Sequence, residues 1–221
     1  RAQLGKSVIV YLDDIVIYSN SLKEHLRHIA EVCGRLQDAR LYARPSKCLF
    51  GASQLEFCGH TVGNGLVKPL ASKIKTILEW PVPKNVHEVR QFIGLASYYR
   101  RFIRYFSKIT VPLFELLKES DAELRAKRYR RITWTAQADA AFERCKRLLT
   151  ESPILRAPDT TRPFVISTDC SEYALGCELS QVDMATGKLH PVAFDGRKLS
   201  PAEVNYPVHE KELLAVKHAL T

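Results

Sequence analysis

Two adjacent carboxylates in Tyr11-Leu12-Asp13-Asp14 stand between two apolar runs, Ser7 to Leu12 and Ile15 to Tyr18, with no turn residue around them. Short apolar runs broken only by a polar pair predict a tight β-hairpin with the acids at its tip. Side-by-side carboxylates repel each other and give up water reluctantly, so a divalent cation, magnesium by preference, is the expected counter-charge. Taken alone, the same residues also fit a solvated Asp-Asp turn.

Further along, Ser21-Leu22-Lys23-Glu24 fits a capping box, and Leu22, Leu26, Ile29, Cys33 and Leu36 recur at helical spacing. That apolar stripe is expected to pack on the sheet carrying the hairpin. Gln54 to Val62 reads as one strand closed by the turn signal Gly63-Asn64-Gly65, with a second hairpin before Pro69. A helix over Ala71 to Glu79 should stop at Trp80-Pro81-Val82-Pro83, and Asn85 with Glu88 should cap another from Val86 to about Arg104. Crowded charges from Lys118 to Arg131 read as a connecting loop. Thr135 is placed to cap a helix carrying Ala138, Ala141, Phe142, Cys145, Leu148 and Leu149 and ending before Pro153. From Thr161 the periodicity becomes that of strands, over Phe164 to Thr168, Ala174 to Ser180 and Pro191 to Phe194, followed by a helix entered at Pro207.

With 46% apolar and 26% charged residues, the 221-residue chain can bury a real core and is neither disordered nor membrane-like in composition. No apolar stretch approaches the roughly 20 residues that span a bilayer, and the start lacks a signal-peptide pattern, so an intracellular protein is expected. Cysteines 33, 48, 58, 145, 170 and 177 have no Cys-x-x-Cys spacing and fall mostly in apolar periodic segments, which favours buried thiols over zinc or disulfides. The net charge of +9 is uneven: Val67 to Arg147 holds 18 Lys and Arg against 8 acids, a local +10. A basic middle suits a polyanion bound through phosphate contacts. Arg100, Arg101 and Arg104 interleave there with Tyr98, Tyr99, Phe102, Tyr105 and Phe106, although aromatics so spaced serve equally well as core. Arg1 is not an initiator residue and Thr221 interrupts a helix in progress, so a piece of something larger is expected.

Several motifs then occur in one order: Tyr11-Leu12-Asp13-Asp14, Ile15-Val16-Ile17-Tyr18-Ser19, the helix with His25 and His28, Pro45-Ser46-Lys47-Cys48-Leu49-Phe50 and Leu55-Glu56-Phe57-Cys58-Gly59-His60. Gln91-Phe92-Ile93-Gly94-Leu95, Tyr98-Tyr99-Arg100-Arg101-Phe102-Ile103, Thr168-Asp169-Cys170-Ser171 and His209-Glu210-Lys211-Glu212-Leu213-Leu214-Ala215 follow. Together they resemble the reverse transcriptase and ribonuclease H region of gypsy-type (Metaviridae) long-terminal-repeat retrotransposon polyproteins, along the whole chain.

The resemblance implies an α+β fold: the later part of a palm over residues 1–66, a helical thumb over 67–120, a connection over 121–160 and the first part of a ribonuclease H-like α/β domain over 161–221. It implies magnesium, with manganese as an alternative, held by Asp13 and Asp14 for nucleotidyl transfer and by Asp169 and Glu212 for RNA hydrolysis. Tyr11 and Leu12 would lie near the primer terminus, Phe57, Gly59 and His60 would hold the primer, and Gln91, Gly94, Tyr98 and Arg101 would face the duplex. Gly94 also fits close helix packing, Gly59 tight hairpin packing, and Lys47 a phosphate contact or an ordinary surface lysine. His25 and His28 share a helical face but lack an identifiable third metal ligand nearby. The partners implied are an RNA–DNA hybrid, a DNA duplex and the fingers, remaining palm, remaining ribonuclease H and integrase segments. No membrane is implied, self-association through exposed palm is, and the location is the cytoplasm, in virus-like particles, or the nucleus. Each acidic pair lacks a family carboxylate in this chain, so inactivity alone is expected. The competing reading is a non-catalytic retroelement relic or a nucleic-acid-binding module.

Overall fold

The computed structural model describes residues 6–118, 131–151, 154–184 and 186–221. They form two compact units divided between Ala52 and Ser53.

In the first unit, β1 (Val8–Tyr11) and β2 (Asp14–Ile17) pair antiparallel, and α1 (Leu22–Asp38) follows. Ser21 caps α1 by accepting from the Glu24 amide at 3.3 Å, as the sequence predicts. The apolar stripe of α1 does not pack as expected: no residue of the helix is buried, and Leu22 and Leu26 remain 72% and 61% exposed. A two-stranded ribbon offers too little surface to cover a helical stripe. His25 and His28 face back toward the strand exit, with Ser19 Oγ 3.3 Å and 2.7 Å from their Nδ1 atoms, so their shared face serves the strand–helix junction.

The second unit opens with a meander. The strand expected over Gln54 to Val62 is broken into β3 (Gln54–Phe57) and β4 (His60–Gly63) by a turn at Cys58-Gly59, with φ of 45° and 69°. Two-residue hairpin loops take positive φ to match strand twist, and a cysteine in the first place hides that signal. Asn64-Gly65 turns the chain again into β5 (Leu66–Pro69), the hairpin the sequence does show. A fourth strand, β6 (Leu155–Arg156), pairs with β5 from far along the chain.

Between β5 and β6 lie the helices: α2 (Ala71–Leu78), α3 (Val86–Tyr98), α4 (Phe106–Ile109), α5 (Val111–Glu115) and α6 (Ala136–Thr150). Asn85 caps α3 by accepting from the Glu88 amide at 3.0 Å, and the Glu88 carboxylate in turn accepts from Asn85 Nδ2 and the Lys84 amide, both at 2.7 Å. The helix expected to reach Arg104 ends at Tyr98. Arg100–Phe102 tightens into a 3-10 turn and Tyr105 takes a left-handed φ of 62°, which re-aims the chain while Phe102 and Phe106 stay buried. Thr135 caps α6, which buries Ala138, Ala141, Phe142, Cys145 and Leu149 against α2, α3 and Leu155 of β6. The loop expected from Lys118 to Arg131 falls mostly outside the described residues. Of the cysteines expected inside, only Cys145 is buried, its thiol pushed up to about 12 by desolvation; Cys33 is exposed and the others half-buried.

The last layer is an antiparallel sheet of β7 (Val165–Cys170), β8 (Ala174–Val182) and β9 (Leu189–Lys198), with α7 (Val208–Ala219) packed on β7 and β8 through Ala215, Leu175 and Leu199. Strands and helix come in the order read from the sequence. Phe194 of β9 joins the helical core, so the helices and this sheet share one apolar interior. No helix among the described residues is long and apolar enough to cross a membrane.

Candidate functional site

Tyr11 pairs with Asp14, leaving Leu12 and Asp13 as the two-residue loop. Leu12 takes a φ of 52° where such loops favour glycine, a strain of about 1–3 kcal/mol for a bulky residue. It is 83% exposed, and Tyr11, Asp13 and Asp14 are exposed beside it. The tip presents two exposed carboxylates, and hard oxygen donors of this kind suit a hard divalent cation.

Asp169 lies opposite Gly176 near the end of β7, and Glu212 is exposed on α7, which packs against that strand. Burial raises the Cys170 thiol first; Lys211 opposes this, and the Asp169 and Glu212 carboxylates push the same way as burial. The two acids thus lie on a strand and a helix that pack together. Among the described residues, no group of three or more His, Cys, Asp or Glu is arranged to hold a metal ion.

Helix α3 sorts its residues by face. Phe92, Ile93, Ala96 and Tyr99 are buried, while Gln91, Gly94 and Tyr98 are exposed on the other side. A Cβ built on Gly94 would meet nothing within 4 Å, so the close-packing explanation of this glycine fails. An open mid-helix glycine costs roughly 1 kcal/mol against alanine. The exposed face is open at that point.

The Cys58-Gly59 turn is held from this helix. Tyr98 Oη donates to the Cys58 carbonyl, Tyr99 Oη donates to the Gly59 carbonyl at 2.9 Å, and His60 Nδ1 lies 2.6 Å from the Cys58 carbonyl. The His60 ring stacks on Tyr98 and Phe102 at centroid distances of 5.4 and 5.6 Å and meets the edge of Tyr99 at 5.7 Å. A Cβ on Gly59, besides its φ of 69°, would fall 3.0 Å from Tyr98 Oη. Phe57 is half-buried beside this turn, and Arg101 keeps Nε buried with no hydrogen-bond partner among the described residues. The sequence gives no sign of the parts played by Cys58 and Tyr99, because the helix expected to run on to Arg104 ends at Tyr98 and only there turns both hydroxyls onto the hairpin.

Burial holds the His60 imidazole below its ordinary 6.5; its bond to Cys58 opposes this and nearby Arg101 adds to it. The unfolded chain thus takes up a proton that the folded chain refuses, so His60 contributes stability above about pH 6.5 that is lost as pH falls through its lowered value. Urea midpoints are expected to drop between pH 7.5 and 5.5, and His60→Gln should flatten that slope; an unchanged slope would contradict the assignment.

The basic cluster is not wholly free for a polyanion. Arg100 pairs with Asp195 at 3.2 Å and Arg104 with Glu178 at 3.6 Å, both acids on the β8–β9 sheet. Tyr99, Phe102 and Phe106 are core, leaving Tyr98 and Tyr105 as the exposed aromatics of that run.

Residues 1–62 match the family described as reverse transcriptase (RNA-dependent DNA polymerase), and residues 134–221 match the RNase H-like domain found in reverse transcriptase. The foamy viral protease–reverse transcriptase has the same fold: its dRH form in complex with double-stranded DNA superposes with a TM-score of 0.81, at 22% identity over 96% of this chain and 36% of that one. Its complex with an RNA/DNA hybrid gives 0.80, at 22% identity, over 96% of this chain and 28% of that one. Fold and matches together define the class, a reverse transcriptase segment running into a ribonuclease H-like domain. The Pol polyprotein from transposon 297 of Drosophila melanogaster is 41% identical over 216 residues, 98% of this chain and 19% of that protein. The transposon Tf2-3 polyprotein of Schizosaccharomyces pombe is 37% identical over 213 residues, 96% of this chain and 15% of that protein. These matches fit the reverse transcriptase–ribonuclease H region of a long-terminal-repeat retrotransposon Pol polyprotein, and the chain spans a fifth or less of those relatives' length.

Proposed function

We propose that this chain is the part of a gypsy-type reverse transcriptase that holds a primer–template duplex and carries acids of both active sites. The observation behind this reading is the exposed Gln91–Gly94–Tyr98 face, open at Gly94 and bonded through Tyr98 to the Cys58-Gly59 turn. Its ligands are an RNA–DNA hybrid or a DNA duplex, as bound by the foamy viral protein. On this reading residues 1–66 are palm, 67–120 thumb, 121–160 connection and 161–221 ribonuclease H-like, working with the fingers, remaining palm, remaining ribonuclease H and integrase segments. Asp13 and Asp14 would hold magnesium, or manganese, at the polymerase site, with Tyr11 and Leu12 beside the primer end; Asp169 and Glu212 would do so at the hydrolytic site. Bound there, the ions supply the positive charge that activates the attacking oxygen and neutralises the leaving group. Two carboxylates at each site do not complete such a centre, so the chain alone binds without catalysing. Ile9, Val10 and Ile15, exposed on the hairpin, support self-association. The place of action is the cytoplasm, in virus-like particles, or the nucleus.

The test is one magnesium-containing assay of duplex binding, primer extension and hybrid cleavage, with the chain beside an Asp13→Asn, Asp14→Asn, Asp169→Asn variant. Both should bind a primer–template duplex, weakening roughly tenfold or more from 50 to 200 mM salt and indifferent to chelation, and neither should extend or cut. Extension or cleavage lost in the variant would show that the sites are complete after all. No binding by either would remove the duplex interface and leave a relic.

A further inference from the structure

We infer that Tyr99 is a positioning residue for the duplex-holding turn, acting through the Gly59 carbonyl; this rests on the duplex reading above. Tyr99 is 1% exposed, so it cannot itself touch a nucleic acid, yet its hydroxyl leaves the core to donate to Gly59, 40 residues away in sequence. Its neighbour Tyr98 donates to Cys58, and His60 holds that same carbonyl from the hairpin side. Consecutive carbonyls of one turn are thus gripped by consecutive residues at the end of α3.

This grip has a purpose that packing alone does not supply. The rings of Tyr98, Tyr99 and Phe102 around His60 would cluster without any hydroxyl. What the hydroxyls add is direction, because a hydrogen bond fixes the turn carbonyls where an apolar contact would let them slide. The turn closes the β3–β4 hairpin with positive φ at Cys58 and Gly59, and both of its carbonyls are met by α3 hydroxyls. The turn therefore keeps a fixed place relative to the exposed face of α3. A duplex lying on Gln91, Gly94 and Tyr98 meets Phe57, Gly59 and His60 at a set distance, and Tyr99 sets it from beneath.

Tyr99→Phe tests this in the 221-residue chain, since it removes one oxygen and keeps the buried ring. A labelled primer–template DNA duplex is titrated at several salt concentrations, and amide hydrogen exchange is followed at residues 57–61. Loss of one neutral hydrogen bond predicts affinity weakened about 3- to 10-fold. The salt dependence should be unchanged, because no phosphate contact is lost. Exchange at the turn should quicken while exchange in α6 stays as it was. Affinity equal to the parent's would overturn the proposal, as would weaker binding with turn exchange unchanged. Should Tyr99→Phe fail to fold, Tyr98→Phe read by exchange alone carries the test, and turn amides still protected there would overturn the grip. A parent chain that binds no duplex would sink the duplex reading, while exchange in the variants would still report on the grip.

Discussion

Phe142→Ala is expected to destabilise the unit from Ser53 onward by about 3–5 kcal/mol, seen as a fall in the urea midpoint at constant slope. Phe142 is fully buried, 4.5 Å between centroids from Phe92 and edge-on to Trp134 at 5.7 Å. Lys146 Nζ lies 4.3 Å above the same ring while donating to the Trp80 carbonyl at 2.8 Å, so the ammonium is anchored by an aromatic face and a backbone oxygen together. Truncation removes the ring, opens a cavity between α3 and α6 and takes a partner from the cation. Domains of this kind are stable by only about 5–15 kcal/mol, so the loss is a large share of the whole. A change under about 1 kcal/mol would mean that the core around α6 is not the packed one described.

Gly196→Val should be nearly as damaging, for a backbone reason. Gly196 and Gly176 face each other across β9 and β8, and a Cβ at Gly196 would stand 2.4 Å from the Leu175 carbonyl oxygen and 3.0 Å from Gly176 Cα. No rotamer change relieves an overlap with main chain, so the strands must part. Those strands also receive the helical layer, with Ser107 Oγ donating to the Gly196 carbonyl at 2.7 Å and the Tyr105 ring 3.5 Å from where a Gly176 Cβ would sit. Overpacking alone costs about 1–3 kcal/mol, and the lost docking adds to it. Thermal unfolding of the variant should begin earlier, and amides on β8 and β9 should exchange faster than those on α6. A melting profile like the parent's would show that the close approach is not needed.

Local signals were legible in the sequence wherever one residue's chemistry decided the outcome. Ser21, Asn85 and Thr135 each announce a helix start because a side-chain oxygen must satisfy a free amide, and all three do so. The Asp13-Asp14 hairpin and the three strands from Val165 were legible through apolar runs and alternation. What escaped depended on partners distant in sequence. The Cys58 turn carries no turn residue in its first place, and it stands because Tyr98 and Tyr99 reach across from α3. The stripe on α1 predicts a buried helix, but periodicity says only which face is apolar, not what covers it. Arg100 and Arg104 count toward a basic patch until Asp195 and Glu178 fold beside them. Asp13 and Asp14 were legible as paired acids at a hairpin tip, Asp169 and Glu212 only through the resemblance, and the latter two lie on a strand and a helix that pack together.

The pairing of β5 with β6 brings Leu66 beside Arg156, with α2 to α6 threaded between. During synthesis, the edge of β5 must therefore wait until the chain past Arg156 has emerged, and closing so long a loop is slow compared with forming the helices inside it. An early-folding helical layer with an unfinished strand at its border is a nascent chain with an adhesive edge, and how fast Leu155 arrives decides whether it meets its own strand or a neighbour's.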